Sequence, residues 1–93
     1  MGKYKIALSD RAKSHLVDWR KSGQLNTIRK IEKIFKELSN TPFYGIGSPE
    51  ALKYDLTEYW SRSIDKKNRI IYFVNDEIAT VFIISAKGHY GDK

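Results

Sequence analysis

Ninety-three residues carry 17 lysines and arginines against 11 aspartates and glutamates, a net charge of +6. A chain of this size buries only about 60–65 % of its unfolded surface. It therefore supports one modest core, read as a single domain over residues 1–93. The absence of cysteine excludes disulfide scaffolds, thiolate zinc sites and cysteine nucleophiles. Two histidines without HExxH spacing leave little material for a protein-built metal site.

Met1 to Ser9 alternates charged and apolar residues, unlike a signal peptide, and no run of eighteen apolar residues follows. A cytoplasmic protein with no membrane contact is expected. The basic surplus points to a polyanionic partner, of which nucleic acid is the commonest.

Lys3 to Leu8 reads as a short strand, with Tyr4, Ile6 and Leu8 on one side. Ser9-Asp10 is a helix start, and Ala12, Leu16 and Trp19 follow at helical spacing until Gly23. Leu25, Ile28, Ile31, Phe35 and Leu38 form the apolar stripe of a second helix, stopped by Pro42. Thr41 to Glu50 is a loop. Period-two patterning then predicts strands at Leu52–Leu56, Glu58–Ile64, Arg69–Val74 and Ile78–Ile84. Turn chemistry at Asp65–Asn68 and Asn75–Glu77 makes the last three an antiparallel meander. The fold class is α+β, two N-terminal helices packed on a mostly antiparallel twisted sheet. The last two strands are apolar on both faces, so the face away from the helices lines a cleft or meets another chain.

Four motifs then occur in order: TPF-x-G-x-G-x-PE-x-L-K over residues 41–53, Trp60-Ser61-Arg62, Asn68-Arg69-Ile70-Ile71-Tyr72, and His89-Tyr90. Together they resemble the YoeB/Txe branch of the RelE/ParE superfamily, the toxins of bacterial toxin–antitoxin pairs. The resemblance covers almost the whole chain. It implies a RelE/ParE-like fold and a ribosome-dependent endoribonuclease that cuts mRNA in the decoding site without a metal or other cofactor. In that reaction the RNA's own 2′-hydroxyl attacks the neighbouring phosphorus, which requires a base, an acid and cations around the phosphorane.

Carried over residue by residue, the resemblance makes Glu50 and His89 the acid–base pair, read as base and acid in that order with the exchanged assignment left open, and Arg69 the grip on the scissile phosphate. An imidazole titrating near neutral pH suits the acid, and a planar guanidinium suits phosphate oxygens. Tyr90 positions or stacks on the substrate, Lys53 lies beside the phosphate path, and Arg62 is a basic strand residue supporting the site, these last two being the expected RNA- or phosphate-binding residues. Taken singly, each of these has a blander reading, as a solvated charge or a frayed aromatic. Trp60 is read as core, and His15 as structural or exposed with no recognisable partner.

The partners implied are an acidic YefM/Axe-like antitoxin that folds over the catalytic surface, the 70S ribosome with its mRNA, and a second copy in a homodimer. Two other readings stand beside this one: a ParE-like gyrase poison, and a non-catalytic nucleic-acid module stacking bases on Tyr59 and Tyr72.

Overall fold

The computed structural model describes residues 3–52 and 58–88. Lys53, His89 and Tyr90, three of the expected site residues, lie outside the described residues.

Strand β1 (Lys5–Leu8) leads into helix α1 (Asp10–Ser22). The Ser9 hydroxyl accepts from the Ala12 amide at 3.0 Å, satisfying one of the orphan donors of the first turn. Gly23 closes the helix in the left-handed region at φ 71°. Helix α2 (Leu25–Leu38) follows α1 after two residues, Gly23 and Gln24. Strands β2 (Glu50–Ala51), β3 (Trp60–Ser63), β4 (Arg69–Asn75) and β5 (Thr80–Ser85) complete the fold.

The five strands form one sheet in the order β1-β5-β4-β3-β2. The expected meander is present: β3 pairs antiparallel with β4, and β4 with β5. The exception is β1, which lies parallel to β5 with Lys5 opposite Thr80. The first strand of the chain thus docks on the last. The edge strand differs from expectation: Glu50, expected in a loop, pairs with Ser61, and β2 ends at Ala51 before the expected Leu52–Leu56 strand, of which Leu52 is in no strand and 53–56 lie outside the described residues.

Both helices cover one face of the sheet. Ala12 and Trp19 of α1 and Ile31, Ile34 and Leu38 of α2 pack on Ile70, Tyr72, Val81 and Ile83. The predicted stripe of α2 is displaced by one step. Ile34 is fully buried, whereas Leu25 is 62 % exposed. At 100° per residue Leu25 sits about 150° around from the centre of Ile31, Ile34 and Leu38. It cannot share their face.

The opposite face is also apolar, as the two-sided patterning required. Phe73 stacks between Tyr59 at 5.5 Å and Phe82 at 4.9 Å, a ladder of three rings across neighbouring strands. Among the described residues no helix is long and apolar enough to cross a membrane.

Candidate active site

The site is assembled around the middle of β3. In an antiparallel pair, residues directly opposite project from the same face. Glu50 on the edge strand β2 stands opposite Ser61, which stands opposite Ile71 on β4. Arg69 stands opposite Ser63, two residues along β3 and hence on that same face. The Arg69 guanidinium reaches back to the Ser61 hydroxyl, Nη1 to Oγ at 3.4 Å. Ser61 is therefore the pivot that places an exposed carboxylate and a half-buried guanidinium on either side of one buried hydroxyl. This face is the one the helices leave uncovered.

The C-terminal segment is delivered to the same place. The Arg69 amide donates to the Gly88 carbonyl at 2.9 Å, and the Gly88 amide donates to Asn68 Oδ1 at 2.9 Å. His89 is the next residue in sequence, one peptide from a residue tied to Arg69. The Asp65–Asn68 turn that precedes β4 is itself rigid. Desolvation raises the Asp65 carboxyl, but hydrogen bonds from the Asn68 side chain and the Lys67 and Asn68 amides outweigh this and hold it below its ordinary value.

Glu50 owes its position to a loop fastened from below. Arg62 projects from β3 to the helix side, and its side chain is wholly out of water. Its Nη1 pairs with Glu37 Oε1 of α2 at 2.7 Å. Its Nη2 donates to the carbonyls of Thr41 at 2.6 Å and Tyr44 at 2.8 Å. Glu37 Oε1 in turn accepts from the Ile46 amide at 2.9 Å. One buried ion pair thus holds three points of the 41–46 loop. Beyond it, Gly47 at φ 83° accepts from the Ser63 amide at 2.6 Å, which starts the edge pairing that continues into Glu50. A Cβ on Gly47 would stand 2.8 Å from the Ser63 carbonyl. Only glycine fits. Ser48, two residues before Glu50, is held at φ 50°, unusual for a residue with a side chain.

The sequence-based expectation for Arg62 is corrected by this geometry. It was expected to support the site and to bind RNA or phosphate, but a guanidinium with no exposed surface, aimed at loop carbonyls on the helix side, does not face the Glu50–Arg69 surface. It supports the site through the loop. Its partner Glu37 escaped sequence reading, because nothing in an amphipathic helix marks which carboxylate will be buried. His15, expected to be structural or exposed without a recognisable partner, does have one: its Nδ1 accepts from the buried Ala86 amide at 3.0 Å. Trp60 packs against the core and against Phe43, ring centroids 4.9 Å apart, as expected of a packing residue.

A hollow of about 390 Å³ lies elsewhere. Glu58, Tyr59, Phe73, Val74, Asn75, Asp76 and Glu77 line it, at the opposite end of β4 from Arg69. Six residues of strand separate Arg69 from Asn75, roughly 20 Å. Three carboxylates in that lining make it unsuited to a polyanion. The candidate site is the Glu50–Ser61–Arg69 surface and not this hollow.

Residues 9–90 match the family model described as the YoeB-like toxin of bacterial type II toxin–antitoxin systems. The chain is 33 % identical over 86 residues to Toxin YoeB of Escherichia coli O6:H1, covering 92 % of this chain and 99 % of that protein. Among solved structures it resembles a YoeB/ParE toxin from Agrobacterium tumefaciens, with a TM-score of 0.85 and 29 % identity over 92 % of this chain and 99 % of that one. It also resembles the YoeB dimer from Staphylococcus aureus, with a TM-score of 0.78 and 32 % identity over 95 % of this chain and 99 % of that one. The heterotetrameric YoeB–YefM toxin–antitoxin complex from the same organism matches with a TM-score of 0.76 and 33 % identity over 94 % of this chain and 98 % of that one.

Proposed function

Because the chain belongs to the YoeB-like toxins of bacterial type II toxin–antitoxin systems, we propose that it is a ribosome-dependent endoribonuclease that cuts mRNA in the decoding site by metal-free acid–base chemistry. The observation that carries this reading is the juxtaposition of Glu50 and Arg69 about Ser61 on the uncovered face of the sheet, with the chain leading into His89 hydrogen-bonded to Arg69's own amide.

The Glu50 carboxylate takes the proton of a 2′-hydroxyl, whose oxygen attacks the adjacent phosphorus. Arg69 holds the phosphate oxygens as charge accumulates on the phosphorane. His89 gives its proton to the departing 5′-oxygen, leaving a 2′,3′-cyclic phosphate and a 5′-hydroxyl. Tyr90 stacks on or orients the substrate, and Lys53 lies beside the phosphate path. The exposure of Glu50 on this surface fits a dependence on the ribosome. A free, flexible RNA is rarely held with its 2′-oxygen in line, so the particle that fixes the mRNA supplies the positioning term.

The partner of such a toxin is an antitoxin, here an acidic chain that covers the Glu50–Arg69 surface and neutralises part of the +6 charge. By analogy with the Staphylococcus aureus protein, the toxin pairs with a second copy.

The test is primer extension on a defined mRNA, with and without translating ribosomes, using the wild-type chain beside Glu50→Gln and His89→Gln. Cuts that need ribosomes and both side chains are expected. Growth arrest in cells with no cut in any message would overturn the nuclease reading in favour of a protein target.

A further inference from the structure

The end of β5 outruns its neighbour. Strand β1 stops at Leu8, opposite Ile83, and the Ser9 amide makes the last backbone contact, to the Ile83 carbonyl at 3.0 Å. Beyond that point the backbone of β5 remains buried, Ala86 having no exposed surface, and buried amide groups must find partners. Side chains of α1 supply them. The Ser9 hydroxyl donates to the Ile84 carbonyl at 2.7 Å, His15 Nδ1 accepts from the Ala86 amide at 3.0 Å, and Trp19 Nε1 donates to the Ala86 carbonyl at 2.7 Å. His15 and Trp19 are four residues apart, one above the other on the helix face. Both polar groups of one residue are thus gripped by one helical turn. Two residues later Gly88 is fastened on the other side, to Arg69 and Asn68.

We infer that His15 and Trp19 are positioning residues, a clamp on Ala86 that sets the trajectory of the chain entering His89 and releases it when His15 gains a proton. The inference rests on the reading of His89 as the general acid. Its chemistry is direct. An amide nitrogen can only donate, so Nδ1 must be unprotonated to accept from Ala86; an imidazolium has no acceptor left. The charges facing the ring are Arg11 and Asp18 on α1 and Lys87 beyond β5, with Lys87 Nζ paired to Asp18 at 3.4 Å. Desolvation, Arg11 and Lys87 lower the imidazole below its ordinary value, Asp18 opposing them. The clamp is therefore closed at neutral pH and opens as pH falls below the usual histidine range.

The experiment uses the full chain with His15→Phe, which keeps a ring but removes the acceptor, and His15→Asn, whose Oδ1 restores an acceptor that cannot titrate. Two readouts are taken. By NMR hydrogen exchange at pH 7.5, His15→Phe should lower the protection of the Ala86 and Gly88 amides at least tenfold while leaving Ile34 and Leu38 within twofold. In the wild type the same loss should appear as pH is lowered until the His15 ring protonates, followed by its own ring NMR signals, and His15→Asn should abolish that pH dependence. On mRNA-programmed ribosomes, His15→Phe should reduce kcat about tenfold with KM within twofold, and His15→Asn should recover most of it. Unchanged Ala86 protection in His15→Phe, or an equal loss across the α2 amides, overturns the clamp. Full protection changes with wild-type kcat overturn its role in positioning. If the wild type cuts no RNA, the nuclease reading fails and the positioning role with it, while the exchange arm still decides whether the clamp exists.

Discussion

Arg62 and Glu37 meet at 2.7 Å across the strand–helix interface, with the arginine side chain wholly buried and the carboxylate one-quarter exposed. The same carboxylate oxygen also accepts from the Ile46 amide. The pair therefore joins three parts of the molecule that are remote in sequence: α2, β3 and the loop that ends in Glu50.

Removing one partner of such a pair leaves the other charge stranded. Glu37→Gln should destabilise the fold by about 2–4 kcal/mol, toward the lower part of the range for breaking buried pairs because Glu37 keeps some water contact. Arg62→Lys should do similar damage, since an ammonium cannot reproduce a fork that serves two carbonyls and a carboxylate. Urea unfolding followed by circular dichroism measures both. A midpoint lowered by less than about 0.5 M in either variant would show that the pair is not a structural linchpin.

Two glycines with positive φ should respond differently to a methyl group. Gly23 at φ 71° faces open space, so Gly23→Ala incurs only the backbone strain, about 1 kcal/mol. Gly47→Ala adds a collision with the Ser63 carbonyl of β3, and should lose at least about 2 kcal/mol together with cleavage activity. Equal melting temperatures for the two variants would contradict this.

The buried Tyr72 hydroxyl donates to the Pro42 carbonyl at 2.6 Å. Tyr72→Phe should cost about 1–2 kcal/mol by leaving that carbonyl unpaired. Burial raises the phenol above its ordinary value, the nearby Arg62 guanidinium offsetting part of the effect. A raised acid stabilises the fold below the unfolded pKa near 10, and that contribution is lost as pH climbs through the folded value. The stability gap between wild type and Tyr72→Phe should therefore shrink in strong alkali. A gap that stays constant from pH 8 to 12 would refute the linkage.

Among the described residues Arg69 makes one long side-chain hydrogen bond, to Ser61, and is half-buried. Arg69→Lys should leave the melting temperature within about 2 °C while lowering kcat on programmed ribosomes about 10–100-fold, as expected when a preorganised fork on a phosphorane is replaced by a point charge. A variant that cuts at the wild-type rate would remove Arg69 from the phosphate.

A chain with a charge of +6 that docks on RNA should do so with a steep dependence on salt. Co-sedimentation with ribosomes should fall at least tenfold between 50 and 200 mM monovalent salt. A flat profile would mean that shape and apolar contact dominate.

The sequence pattern disclosed the two helices, the meander and the two-sided apolar character of β4 and β5, because periodicity reports burial directly. It could not disclose that β1 pairs with β5 across 75 residues, Lys5 to Thr80. Register between remote strands depends on what the helices leave uncovered, which no local window contains. At the site, motif spacing located Glu50 and Arg69, and the sheet register brings them to one face. The same motif logic misplaced Arg62, since a basic residue in a motif looks alike whether it points at RNA or into the fold. His15 was illegible for the opposite reason: its partner is a backbone amide 71 residues away.

Strand β5 lies between β1 and β4, yet it is the last strand to be synthesised. Until the ribosome has translated past Ser85, β1 has no neighbour, α1 has no segment to grip, and the apolar face of α2 has only part of its sheet. At 5–20 residues per second this interval occupies most of the roughly 5–20 s needed to make the chain. A nascent copy thus cannot complete its sheet until the end of its own synthesis, and newly made antitoxin has that time to accumulate before the folded toxin forms.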